Sequence, residues 1–154
     1  MTVNNRDLTI VRTFKAPIKD VFKAWTDPEI LAQWWGPSGV TNPTCQLDVR
    51  PGGEMFIVML AGKDLGDLAG NEWPMSGTYV EVTEPYKLVF RSRALIDGKP
   101  ILETLNTVTF SEEGENTKMT LSVVVTQTTP EAEGPLSGMK IGWTQSINKL
   151  EDLF

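Results

Sequence analysis

A single cysteine, Cys45, and a complete lack of histidine set the chemistry open to this chain. Histidine is the commonest metal ligand and the side chain whose charge changes nearest neutral pH. Cys/His zinc sites, Ser-His-Asp triads and Cys-His dyads are therefore excluded, as is an internal disulfide. Any catalysis rests on carboxylates, lysine, tyrosine, hydroxyls or water, and no metal or organic cofactor is expected. Arg50-Pro51-Gly52-Gly53 lacks the lysine and following helix of a nucleotide-binding loop, so its glycines serve turn geometry. Arg12, Asp48, Arg50 and Glu103 are polar residues inside strand-like patterns. Where two of them meet in a sheet, pairing offsets the cost of leaving water, and structural ion pairing outweighs catalysis as their role.

Composition narrows the partners. The chain has 154 residues, 14 basic and 20 acidic, for a formal charge of −6. That length fits one domain, residues 1–154, with one core. An acidic surface repels phosphate backbones, so nucleic acid is not an expected partner. No stretch approaches the roughly 20 apolar residues that span a bilayer, and the opening MTVNNRDLTIVRTF lacks the basic-then-apolar order of a signal peptide. A cytoplasmic location is the expectation.

The positioning elements follow from periodicity. Leu8, Ile10 and Phe14 alternate with Thr9, Val11 and Thr13 in a β-branched run, which predicts a strand ending at Ala16-Pro17. Val21, Phe22 and Trp25 then recur at helical spacing. Thr26-Asp27-Pro28-Glu29 opens a second helix: either Thr26 or Asp27 can cap, proline suits the first turn, and Glu29 complements the dipole. Ile30, Leu31, Trp34 and Trp35 form its apolar stripe up to Gly36-Pro37. From Thr44 to Gln127 the punctuation is that of six strands, with breaks at Pro51-Gly52-Gly53, Gly62 to Pro74, Glu84-Pro85, Asp97-Gly98 and Glu112 to Asn116. Connections this short imply an antiparallel meander, hence an α+β class with about seven strands in all. Met139, Trp143, Ile147, Leu150 and Phe154 line one face of a C-terminal helix. Gly134, Pro135 and Gly138 predict that it starts late, near Met139, or is kinked before that point.

Several separated motifs carry a family resemblance. They are Arg12-Thr13-Phe14 with Ala16-Pro17, Val21-Phe22, Ala24-Trp25-Thr26-Asp27-Pro28-Glu29 and Trp34-Trp35-Gly36-Pro37. Asp48 to Gly53, Gly77-Thr78-Tyr79, Leu88-Val89-Phe90 and Gly142-Trp143 follow in the same order. Over nearly its full length the chain resembles bacterial stand-alone proteins similar to the C-terminal domain of the activator of the heat-shock protein 90 ATPase, within the START-like (SRPBCC) superfamily. The resemblance implies a helix-grip fold, a curved antiparallel sheet wrapped around the long C-terminal helix. It does not fix the activity.

The space between sheet and helix is the candidate site, since ligand pockets are concave, mostly apolar and fitted with a few polar groups. Met55, Ile57 and Met59 share one face of a strand and can face Trp143 and Ile147. Met75, Tyr79, Phe90, Leu105 and Met119 on other strands, with Trp25 and Met139 from the helices, complete the candidate lining. Methionines adapt to varied ligand shapes. The same spacing is also what a filled core produces. Phe56, Val58 and Leu60 are apolar too, so a homodimer contact on the outer face is a further reading. In relatives the segment matching Trp34-Trp35-Gly36-Pro37 sits at the cavity mouth, where Trp34 or Trp35 would cover a ligand, but helix anchoring is the favoured role of the two indoles. Gly62 to Trp73 is the longest irregular connection and either gates the cavity or is an idle loop.

Three functions from different classes fit. The first is a non-catalytic carrier or sensor of a small apolar or amphipathic ligand. The second is assistance to a chaperone ATPase, which the resemblance suggests. The third is a cyclase- or hydrolase-like enzyme acting on polyketide-like compounds, as in some START-like relatives, with Tyr79 or Glu103 as its acid or base.

Overall fold

The computed structural model describes residues 7–154; the first part of the N-terminal stretch read above for a leader lies outside them. Strand β1 (Leu8–Phe14) leads through Pro17 into helix α1 (Ile18–Thr26), whose buried face carries Ile18, Val21, Phe22, Ala24 and Trp25. Helix α2 (Pro28–Trp34) follows at once. Asp27 is its cap, accepting from the amides of Glu29 at 2.9 Å and Ile30 at 3.4 Å. Thr26 donates back to the Phe22 carbonyl instead. The choice follows from position: a carboxylate one residue before the first turn reaches the free amides there.

Six strands then run as a meander: β2 (Val40–Leu47), β3 (Glu54–Ala61), β4 (Glu72–Thr83), β5 (Lys87–Ile96), β6 (Lys99–Glu113) and β7 (Asn116–Thr128). With β1 they form one antiparallel sheet in the order β1-β7-β6-β5-β4-β3-β2. Strand β2 begins at Val40, four residues before the expected Thr44, because Pro43 is tolerated on an edge strand with a register shift between Thr41 and Thr44. The Asp97-Gly98 turn between β5 and β6 has positive φ at both residues, 53° and 77°, as a two-residue hairpin requires. Lys63–Leu68, expected to be irregular, forms two 3-10 turns kinked at Gly66, and Trp73 belongs to β4.

Helix α3 (Glu133–Glu151) lies in the concavity of the curled sheet, preceded by a 3-10 turn at Pro130–Ala132. It starts six residues earlier than the expected Met139 and is continuous. Pro135 falls within the first turn, where its missing amide hydrogen would have no helical partner, so it costs no hydrogen bond. The helix end is fixed to β1 by Arg12, which donates to Asn148 Oδ1 at 2.9 Å and meets Glu151 at 2.7 Å. It is also held to the segment after α2, where the Ser38 amide donates to Gln145 Oε1 and Lys149 Nζ to the Pro37 carbonyl.

Candidate functional site

Alternation along the strands decides which side chains face α3. On β3 the inward residues are Met55, Ile57 and Met59, and on β4 they include Met75 and Tyr79. On β5 and β6, Phe90 lies opposite Asn106 and Ser92 opposite Thr104, all inward. The concavity they form divides into two parts. One part is filled. Trp25 of α1 packs edge-on to Trp34 of α2 at 4.7 Å between ring centroids, and the Trp34 indole donates to the Ala24 carbonyl. Trp25, Trp34, Met55, Ile57, Tyr79, Phe90, Met119 and Ile147 all belong to this packed core and are almost wholly buried.

The other part is a cleft of about 660 Å³ between the sheet and the first half of α3. Trp35, Met59, Met75, Met139 and Trp143, five of the residues expected from the sequence, line it. Trp35 and Trp143 meet at 5.3 Å and form the wall between the cleft and the packed core. Leu68, Trp73, Ala94, Leu95, Ile96, Ile101 and Leu102 complete its apolar surface. Leu105 is elsewhere: its register partner is Arg91, which places it on the convex face of the sheet.

Four residues of α3 that the sequence analysis did not assign to the site line this cleft. Gly134, Gly138, Gly142 and Ser146 recur every four residues on α3, and all of them line it. A Cβ added at any of the three glycines would meet nothing within 4 Å. The helix thus presents bare backbone along this side of the cleft. Mid-helix glycine costs about 1 kcal/mol relative to alanine, so Gly138 and Gly142 hold the space at the expense of helix stability. In the sequence Gly134 and Gly138 signal helix breaking and Gly142 belongs to a family motif; the spacing of four that joins them with Ser146 is the signal for the cleft.

Polar groups also reach the cleft. Ser92 and Thr104 line it, their hydroxyl oxygens 2.8 Å apart, and behind them the fully buried Asn106 holds Ser92 at 3.0 Å and Thr104 at 3.2 Å. The signal for these was two polar residues, Thr104 and Asn106, at alternate positions on the strand face that continues to Val108 and Phe110. A second hollow, about 800 Å³, lies where Lys15–Lys19 approaches Glu112–Asn116. Its charged side chains, Lys15, Lys19, Glu112 and Glu115, are exposed and solvated.

The candidate acid–base residues stand apart. Tyr79 is 1 % exposed, its hydroxyl has no hydrogen-bond partner among the described residues, and burial pushes its pKa far above the usual value, with Cys45 and Asp48 nearby adding to the effect. Glu103 is on the convex face, pairing with Arg93 at 3.0 Å and accepting from Thr126 at 2.8 Å. The sheet separates these two side chains. Arg12–Glu151 and Arg50–Asp48 are likewise ion pairs. Burial raises the Cys45 thiol from 9.0 to about 11, so it is protonated and unreactive at neutral pH. Among the described residues no group of three His, Cys, Asp or Glu side chains is placed to hold a metal ion, and no helix is long and apolar enough to cross a membrane.

Solved structures share this fold. A protein of Nitrosomonas europaea superposes with a TM-score of 0.77 at 27% identity, over 96% of this chain and 92% of that one. The AHSA1 protein of Silicibacter pomeroyi gives 0.76 at 26%, over 95% of each chain. A solution structure from Arthrobacter aurescens gives 0.81 at 23%, over 98% and 87%, a likeness of fold alone. No curated protein is similar enough to match. The family model described as Activator of Hsp90 ATPase homolog 1-like protein matches residues 15–154, and the chain accordingly belongs to that family, within the START-like superfamily.

Proposed function

We propose that the protein binds a small apolar or amphipathic molecule in the cleft beneath the first half of α3 and acts without chemistry, as a carrier or sensor. The observation that carries this reading is the run Gly134, Gly138, Gly142: each faces open space, and two of them weaken the helix interior in which they sit. Almost any other residue at these interior positions would make a more stable helix. The cleft volume falls within the range of small-molecule sites, and its lining is apolar with a few hydroxyls. Binding without turnover is favoured over an enzyme because Tyr79 is sequestered in the packed core and Glu103 lies across the sheet.

The test is the mass of the purified protein under native conditions, repeated after denaturation, with analysis of the organic extract. Excess mass that disappears on denaturation, and is absent from a Gly138→Leu variant, is the expected result. Identical excess mass in that variant would locate the ligand elsewhere. The family description also suggests a chaperone-directed role; an unchanged ATPase rate of a bacterial chaperone of that class at saturating protein eliminates it.

A further inference from the structure

We infer that the cleft selects ligands ending in a hydrogen-bond donor, such as an alcohol, over ethers and carboxylates of the same length. This rests on the ligand-binding reading above and follows from counting hydrogens on the polar floor. Asn106 is wholly buried, and the Phe90 carbonyl, 3.2 Å from its side chain, fixes the amide: only Nδ2 can face a carbonyl oxygen. Nδ2 therefore donates to Phe90 and to Ser92 Oγ, at 3.0 Å. The amide oxygen, Oδ1, accepts the Thr104 hydroxyl at 3.2 Å. The hydrogen left on Ser92 goes to Thr104 Oγ1, at 2.8 Å. Both amide hydrogens and both hydroxyl hydrogens are thus committed within the cluster. Ser92 and Thr104 offer the cleft only lone pairs.

On the helix side the same holds for Ser146, which is 3 % exposed: its hydroxyl donates to the Gly142 carbonyl at 3.0 Å. All three hydroxyls lining the cleft are acceptors. The one charged side chain in the lining, Glu131, is a carboxylate, and no lysine or arginine is present there. The other side-chain donors in the lining are the indole N–H groups of Trp35, Trp73 and Trp143, which carry no countercharge. A carboxylate entering this cleft loses its hydration without a cation to replace it. An ether or ketone meets lone pairs at the floor with lone pairs of its own. An alcohol donates to the floor and still fills the apolar space with its chain.

The experiment is equilibrium titration of the full chain with 1-octanol, heptyl methyl ether and octanoate. The alcohol and the ether have the same number of heavy atoms and differ in the donor. One net hydrogen bond predicts that 1-octanol binds about fivefold tighter than the ether, with octanoate weakest. In Thr104→Val the Ser92 hydrogen is released to point into the cleft, so the ether gains and the gap closes. Equal affinity of wild type for alcohol and ether, or preference for octanoate, overturns the selectivity while leaving the cleft as a binding site. Failure of all three probes to bind overturns both; the wild-type series requires no variant to fold.

Discussion

The two halves of α3 do opposite work in the same concavity. Toward its C-terminus the helix presents Ile147 and Leu150, both fully buried, and is held to β1 through Arg12 and Asn148. Toward its N-terminus that buried stripe continues through Trp143, Met139 and Leu136, while another side of the helix carries Gly134, Gly138 and Gly142, with open space in front of each. One end closes a core and the other keeps a cleft from closing. The lesson is that a single helix can be read for stability in one half and for function in the other, and that the two should respond in opposite directions to added volume.

The largest expected effect comes from the packed half. Ile147→Ala removes a side chain that is 0 % exposed and should destabilise the protein by about 2–4 kcal/mol in denaturant unfolding. Gly138→Leu in the other half should leave stability unchanged or raise it by about 0.5–1 kcal/mol, since leucine is the better helix former and its side chain meets no neighbour at the Cβ. A loss of stability comparable to that of Ile147→Ala would break the contrast.

Smaller effects sharpen the boundary between core and cleft. Tyr79→Phe deletes a buried hydroxyl without a partner and should be neutral or stabilising by about 1 kcal/mol; marked destabilisation would reveal a bond this structure lacks. The Cys45 thiol, raised from 9.0 to about 11 in the folded chain, holds its proton where the unfolded chain has lost it. The folded state then binds more protons, so stability should fall as pH rises from about 9 to about 11, with no contribution from this group below that window. Unfolding curves of wild type and Cys45→Ser across that range check it; parallel pH profiles would contradict the assignment.

How much of this was legible beforehand depended on the range of the interaction involved. The Asp97-Gly98 hairpin and the two short helices rest on contacts within a few residues and were legible in the sequence, as was a cap at Thr26 or Asp27, which the structure settles as Asp27. The meander followed because short connections leave little choice of topology. The lining was only half legible. A period of two puts Met55, Ile57 and Met59 on one face of their strand, but with Phe56, Val58 and Leu60 apolar as well it does not tell inner face from outer, nor which end of the concavity the indoles of α1 and α2 fill. Glycines in α3 were read as breakers because their local cost is visible in the sequence, whereas the space they preserve exists only once the sheet curls opposite them. Thr104 and Asn106 were passed over for the same reason: their partners, Ser92 and the Phe90 carbonyl, lie on the neighbouring strand.

The account turns on whether the glycine face of α3 keeps a cleft that takes up ligand. Trp35 and Trp143 line it, so intrinsic fluorescence during a 1-octanol titration of wild type and Gly138→Leu reads it directly. Saturable quenching or shift in wild type, lost or weakened by at least about tenfold in a variant of equal or greater stability, is the predicted result. The same isotherm in both proteins would contradict it.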